Sequence, residues 1–245
     1  MSKFKFVVVS KDENFKMPVE KFNFDNSCAY LVPNNTDSLA KIYNHYLNQT
    51  RQVKEYNTDF IVFMHADVEI DIGKLTTHIE ECKDKYDVMG LCGTSVMNVS
   101  QSPLNWWTAS NPTPEAKWGC VTHGELGNQK SFFSAHHPEV RDHEAACIDG
   151  LCIIFGPKAI ASNIKFDEQF LFDEYDTDIS LQAVINYKFK LGVLVEESLK
   201  HYSVGRSILT DDFLMHEIDL RKKWQLGFPA DSKILQLAIA NGKLS

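Results

Sequence analysis

The chain has 245 residues, of which 44% are hydrophobic and 24% are charged, and its formal net charge is −8 at pH 7. This composition is that of an ordinary globular protein with a sizeable core, and not that of a disordered chain. The acidic balance argues against a broad nucleic-acid-binding surface, which needs a basic face. A bound metal ion can still supply local positive charge for an anionic ligand.

The six cysteines include no CxxC pair, which disfavours a zinc ribbon. The apolar run near the start is too short for a signal peptide, and no apolar stretch is long enough for a membrane-spanning helix. We therefore expect a cytoplasmic protein with reduced cysteines and no transmembrane segment.

Apolar runs and helical patterns alternate from the start of the chain. Strands are predicted over 4–9, 29–32, 59–64 and 86–92, and helices over 38–47, with Asp37 or Thr36 as N-cap, and over 74–85. This alternation is typical of a parallel sheet with crossover helices, in which ligands bind at the carboxyl ends of the strands. Ser10, Asn34, Asn35 and Asp67 follow such strand ends and are candidate binding residues.

The pattern breaks over 100–146, which is rich in Trp, Pro, Asn, Gly and His and holds one predicted hairpin strand at 117–124. Long irregular segments of this kind are often functional. Strands at 147–155 and 191–195 and helices at 176–187 and 213–224 follow. We predict one α/β domain with a Rossmann-like, mostly parallel central sheet flanked by helices. Its predicted parts are 1–99, the insertion 100–146, 147–210 and a helical tail at 211–245.

Two groups of residues carry candidate chemistry. His65 and Asp67 end a buried strand and face the same side, because alternate strand residues do so. With His201, which follows the last strand, they form a candidate site for a divalent cation. The segment 173–178 holds four carboxylates in six residues. These acids either complement the N-terminus of a helix or include a general base, with Asp176 and Asp178 as candidates.

The order of these segments resembles the GT-A glycosyltransferases, specifically family-2-like enzymes of the streptomycin-biosynthesis type. The segments 34–44 and 59–68 look like the nucleotide-sugar-binding half of that family, and 149–150, 166–178 and 201–203 look like its acceptor half. The resemblance implies inverting transfer of a hexose or pentose from a nucleotide-diphosphate sugar, usually a UDP-sugar, with Mn²⁺ or Mg²⁺.

The resemblance also implies roles for single residues. Asp67 matches the metal ligand of the family's Asp-x-Asp motif, and His65 stands where an Asp is commoner and would bind the ribose or the metal. Asp176 matches the catalytic base, although Tyr175 replaces the usual Glu, and Asp178 is the alternative base or a supporting acid. His201 matches a histidine that reaches the metal. The nucleotide would lie near Ser10, Asn34 and Asn35.

The acceptor side is predicted from aromatic residues, because their faces stack on sugars and bases. Its candidates are Trp106, Trp107, Trp118 and His123, with Asp149 in the acceptor half. A glycan, a lipid-linked sugar, a protein or a hydroxylated nucleobase in DNA would each fit such a wall.

Two other functions compete with a transferase. The replacements at 65 and 175 leave open a GT-A-like nucleotide- or sugar-binding module without turnover. A zinc hydrolase would use a set of five residues within 136–144, although their spacing does not match a known zinc motif. These residues are His136, His137, Asp142, His143 and Glu144.

Overall fold

A computed structural model describes most of the chain. The described residues are 2–14, 27–52, 59–102, 104, 114–124, 128, 130–133, 140–203, 210–230 and 232–243. None of the helices within these ranges is long and apolar enough to cross a membrane. All six cysteines lie within the described ranges and are free thiols.

A seven-stranded sheet forms the centre of the fold. Its spatial order is β2 (Ser27–Val32), β1 (Phe4–Val9), β3 (Phe60–His65), β11 (Cys152–Phe155), β5 (Val88–Gly90), β12 (Leu191–Leu194) and β9 (Asp142–Glu144). Five strands run in one direction, whereas β11 and β9 run antiparallel to their neighbours. The sheet is therefore mixed, with a parallel part formed by β2, β1 and β3.

Helices cover both faces of this sheet. One face packs against α1 (Leu39–Gln52), α3 (Pro157–Ala161) and α4 (Tyr175–Leu181), which a π-helical turn at Gln182–Asn186 extends, and the other packs against α2 (Ile72–Cys82). Successive residues of β1 and β3 enter opposite clusters, which explains their continuous apolar sequence. The predicted α/β class with flanking helices is confirmed, while the predicted single-domain division stays a prediction.

A second, smaller sheet lies beside the first. Its order is β10 (Cys147–Ile148), β6 (Cys92–Thr94), β7 (Lys117–His123), β13 (Lys200–His201) and β4 (Val68–Glu69), with β8 (Lys130–Phe133) also paired to β7. The single strands predicted over 86–92 and 147–155 are wrong, because each run is broken and passes from one sheet to the other. Gly93 in β6 permits the close approach of β10, since an added Cβ would lie 2.3 Å from the carbonyl oxygen of Cys147.

The helix boundaries also differ from the prediction. The predicted N-cap of α1 is wrong, because the Lys41 amide donates to Ser38 Oγ at 3.0 Å and not to Asp37 or Thr36. Helix α2 begins at Ile72 because Asp71 caps it, accepting a hydrogen bond from the Lys74 amide at 3.1 Å. The helix therefore starts earlier than the predicted start and also ends earlier than the predicted end.

Two helices, α5 (Asp211–Lys223) and α6 (Lys233–Ala240), pack together through a small apolar cluster of their own. Thr210 caps α5 by accepting from the Phe213 amide at 3.2 Å. Arg221 on α5 is fully buried and pairs with Glu217, with 2.9 Å between Arg221 Nε and Glu217 Oε1. The Arg221 guanidinium also donates to the carbonyl oxygens of Val99, Gln101 and Gly227, which ties two loops to this helix.

Candidate metal-centred functional site

The carboxyl ends of three parallel strands meet at one edge of the central sheet. Val9 at the end of β1 lies opposite Val32 of β2 on one side and His65 of β3 on the other. A cleft of about 510 Å³ opens at this edge. The residues just after β1, the end of β3 and the segment after β13 line it.

Three side chains that could bind a metal converge in this cleft: His65, Asp67 and His201. Backbone pairing holds them in place, because His201 lies opposite Val68 across β13 and β4, and the Tyr202 amide donates to the Asp67 carbonyl at 2.8 Å. One donor atom from each side chain lies within 4.8 Å of the other two. His201 Nε2 is 3.4 Å from Asp67 Oδ1. The structure therefore brings together three residues that are far apart in sequence.

The electrostatics of this cluster favour ionised Asp67 beside neutral His65. Burial lowers the pKa of His65, and the charge of Asp67 offsets this only partly. Burial alone would raise the pKa of Asp67, but the hydrogen bond and charge of His201, with a contribution from His65, lower it. Burial would also lower the pKa of His201, but the hydrogen bond and charge of Asp67 raise it.

The donor set fits a divalent transition metal. Two imidazoles and one carboxylate suit Mn²⁺ better than Mg²⁺, which prefers oxygen ligands. Nδ1 of His201 is buried and has no hydrogen-bond partner among the described residues. A buried polar atom left unsatisfied costs about 1–3 kcal/mol, which a bound ligand can offset.

Tyr175 fixes the orientation of His65. The Tyr175 hydroxyl donates to the Gly150 carbonyl at 3.1 Å and lies 2.8 Å from His65 Nε2. Because a phenol has one proton, Nε2 donates to the Tyr175 oxygen and Nδ1 of His65 keeps its lone pair. Gly150 is required for this contact, since an added Cβ would lie 2.1 Å from the hydroxyl. His65 and Tyr175, which both differ from the GT-A motifs that the sequence resembles, are therefore hydrogen-bonded to each other.

Asp176 stands next to this network at the start of α4. Its carboxylate accepts from the Gly150 amide at 2.9 Å and from the Thr177 amide at 2.8 Å. Burial and then the charge of Asp149 raise the pKa of Asp176 to about 7. A carboxyl group with this pKa is able to exchange a proton near neutral pH.

Asp178 has a different environment. It is fully buried, and Oδ1 lies 2.7 Å from Lys223 Nζ and accepts from Trp224 Nε1 at 2.8 Å. Gln182 Nε2 donates to its other oxygen at 2.7 Å. These contacts join α4 to the end of α5, so of its two predicted roles they favour that of a supporting acid.

The predicted nucleotide residues occupy different positions. Ser10 and Asn35 line the cleft, and the Asn35 side chain also stabilises the turn before α1, accepting from the Asp37 amide at 3.0 Å. Asn34 is exposed, with a positive φ of 50°, and is not among the residues that line the cleft. Lys11 lines the cleft beside Ser10, with its ammonium 4.3 Å from the centre of the Phe172 ring.

The predicted acceptor residues that the structure describes do not all lie together. His123 lies against the cluster, with its ring centre 5.2 Å from that of His201. Asp149 is buried at the junction of the cluster and Asp176, whose pKa it raises. Trp118 is in the core, where its ring stacks on that of His143, with 3.7 Å between the ring centres. Trp106 and Trp107 lie outside the described residues.

The residues of the alternative zinc hydrolase do not form one site in the described part of the chain. His143 faces Trp118, whereas Asp142 on the same strand accepts from Tyr86 and Lys85. Glu144 is exposed. His136 and His137 lie outside the described residues.

Several residues of the site were missed at the level of sequence. Lys11 directly follows a predicted strand end, so its position was a usable signal. Asp173 also lines the cleft, whereas the sequence marks it only as one of four clustered acids. The role of Tyr175 depends on contacts with His65 and Gly150, which no local pattern reveals.

Comparison with known proteins adds little to this geometry. No protein-family model and no curated protein sequence matches the chain. Among solved structures, A197 from STIV has a TM-score of 0.44 and 13% sequence identity, over 85% of this chain and 98% of that chain.

Proposed function

We propose that the chain is an inverting, metal-dependent glycosyltransferase of GT-A-like architecture. It would transfer a sugar from a nucleotide-diphosphate sugar to an acceptor hydroxyl. The observation that carries the proposal is the convergence of His65, Asp67 and His201 in a cleft at the carboxyl ends of parallel strands. Asp176, whose pKa is raised to about 7, is linked to His65 by hydrogen bonds through Tyr175 and Gly150.

The cleft suits a nucleotide diphosphate in size and charge. Its volume of about 510 Å³ falls within the usual range for small-molecule sites. Lys11 supplies a positive charge at the end of β1, near the predicted nucleotide residues Ser10 and Asn35. A cation held by the three ligands would add further positive charge for the diphosphate in this otherwise acidic chain.

The chain's own residues divide the remaining work. His65, Asp67 and His201 would hold Mn²⁺, which when bound offsets the negative charge of the departing nucleoside diphosphate. Tyr175 orients His65, and the amides of Gly150 and Thr177 orient the Asp176 carboxylate. Asp176 would accept the proton of the acceptor hydroxyl as that oxygen attacks the anomeric carbon.

The acceptor class stays open among a glycan, a lipid-linked sugar, a protein and a modified nucleobase. His123 is the predicted acceptor residue with the clearest position, because it lies beside His201. Trp118 contributes to the core and would not stack on an acceptor without leaving His143.

The first test is a thermal-shift screen of nucleoside diphosphates and their sugars with Mn²⁺, Mg²⁺, Zn²⁺ or Fe²⁺. Iron(II) is included because it also binds two histidines and a carboxylate in enzymes. A ligand that binds only the folded chain raises the melting temperature. We expect a uridine nucleotide with Mn²⁺ to give the largest rise. Asp67→Asn should abolish the rise, and the matched control Asp12→Asn, in the same cleft but outside the cluster, should keep the metal effect.

Turnover separates the transferase from a silent binding module of the same architecture. Donors that bind are incubated with the chain and Mn²⁺, and the released nucleoside diphosphate is measured with and without candidate acceptors. Release that depends on Asp176 supports the transferase. Binding without release supports the silent module, and the absence of binding by every nucleotide with every metal refutes both.

A further inference from the structure

A second group of potential metal ligands lies away from the cleft: His78, Cys82 and Asp142. His78 and Cys82 are four residues apart on α2, so they share one face of the helix. Both are 1% exposed. Asp142 reaches them from β9, the edge strand of the central sheet, and one donor atom of each residue lies within 4.8 Å of the others.

The His78 ring is already oriented as metal-binding histidines are. Its Nδ1 donates to the Glu196 carboxylate at 2.6 Å, while Nε2 is buried without a hydrogen-bond partner among the described residues. Metal-bound histidines commonly donate one ring N–H to a carboxylate, which fixes the ring and leaves the other nitrogen for the metal. A buried nitrogen without a partner is costly, so this unsatisfied atom points to a ligand.

The other two residues complete a mixed donor set. Asp142 is held by Tyr86, whose hydroxyl donates at 2.8 Å, and by Lys85, whose ammonium donates at 2.8 Å. Each carboxylate oxygen has two lone pairs, so Asp142 can keep these contacts and still bind a cation. Cys82 adds a sulfur donor, which the His65, Asp67 and His201 cluster lacks.

We propose that His78 Nε2, Cys82 Sγ and an Asp142 oxygen bind Zn²⁺, with Glu196 orienting His78. Zinc takes nitrogen, sulfur and oxygen ligands, and three protein ligands leave a fourth position for water. Donors around tetrahedral zinc lie roughly 3.5 Å apart, so atoms that lie within 4.8 Å of one another need to approach by no more than about 1 Å. The bond to sulfur replaces the thiol proton, which passes to solvent.

Such an ion would join α2 to the edge strand β9 and to the segment after β12. It is independent of the proposed transferase activity, because it shares no ligand with the cleft. The ion should affect stability, because a metal that binds only the folded chain stabilises the folded state against unfolding.

The test uses Co²⁺ as a spectroscopic substitute for Zn²⁺ in the full chain after removal of metals with a chelator. Cobalt bound to a thiolate gives a charge-transfer absorption in the near ultraviolet, which a site of histidine and carboxylate cannot give. We expect this band at one equivalent in the wild type. Asp67→Asn should retain it, since that change affects the cleft alone, and so should Cys120→Ser, a buried cysteine on β7.

Variants of the site then identify the ligands. Cys82→Ser should lose the band. The variant Asp67→Asn removes the carboxylate of the cleft cluster, and in that background His78→Gln should lose the rise in melting temperature that Zn²⁺ causes. Glu196→Gln should keep the band and weaken Zn²⁺ binding about 10- to 100-fold, as loss of an orienting partner does. A wild type without the band or without a zinc-induced rise overturns the proposal whether or not the variants fold, as does a band that Cys82→Ser retains.

Discussion

The substitution Asp176→Asn should make the protein more stable at pH 8 while it removes the proposed base. The raised pKa means that the folded state disfavours the ionised carboxylate. A change from 3.8 to about 7 corresponds to about 4 kcal/mol at a pH above both values, at about 1.4 kcal/mol for each pK unit. Asparagine avoids this cost, but its single oxygen leaves the Gly150 or Thr177 amide unsatisfied, at about 1–3 kcal/mol. The net expected gain is about 1–3 kcal/mol.

The dependence on pH gives the sign of this effect. Between pH 3.8 and about 7, Asp176 holds its proton in the folded state and loses it in the unfolded state. Its contribution to stability is therefore complete below pH 3.8 and is lost as the pH rises through about 7. The advantage of Asp176→Asn over the wild type should shrink by about 2–3 kcal/mol from pH 8 to pH 5.

Urea unfolding of the metal-free protein at pH 5 and pH 8, followed by circular dichroism, measures this difference. Asp178→Asn is the matched control on the same helix, and it should destabilise the protein because it breaks a buried contact with Lys223. A variant Asp176→Asn that is less stable than the wild type by the same amount at both pH values would refute the reasoning. In the transferase assay, loss of the base should cost about 10²–10⁴ in rate.

Three further predictions concern the metal cluster and the core. Asp67→Asn removes the carboxylate of the cluster, so the melting temperature should no longer respond to a Mn²⁺ titration; an undiminished response would exclude this residue as a ligand. Tyr175→Phe frees the His65 ring, and calorimetry should show Mn²⁺ affinity about 10- to 100-fold lower, whereas equal affinity would exclude an orienting role. Arg221→Met leaves the Glu217 carboxylate buried and unpaired, so the free energy of unfolding should fall by about 3–5 kcal/mol in denaturant titrations; an unchanged midpoint would contradict this.

The parallel part of the fold could be predicted because its signal is local. Strand β1 coincides with the predicted range 4–9, and β3 ends at His65, one residue beyond the predicted end. Both strands are buried on two faces, which gives an uninterrupted apolar sequence. The carboxyl end of β3 then places His65 and Asp67 at the edge of the sheet, where the structure has them.

The strand breaks could not be predicted in the same way. Leu91 and Leu151 are as buried as the strand residues around them, so the apolar pattern continues where the chain changes sheets. The burial of Arg221 was also hidden, because its partners at Val99 and Gln101 come from a distant loop. The contact between Tyr175 and His65 spans 110 positions. In each case the deciding interaction is long-range, and no window of sequence contains both partners.

The position of β11 has a consequence for how the protein folds. This strand lies between β3 and β5, although it follows both in the chain by more than sixty residues. During synthesis the edges of β3 and β5 that later pair with β11 stay unpaired until residue 155 has emerged. Unpaired strand edges can pair with other chains, which leads to aggregation. The long wait also predicts slow folding, because distant segments must be brought together before the sheet closes. A fragment that ends before β11 should therefore aggregate more than one that includes it, in which β2, β1, β3, β11 and β5 can all pair.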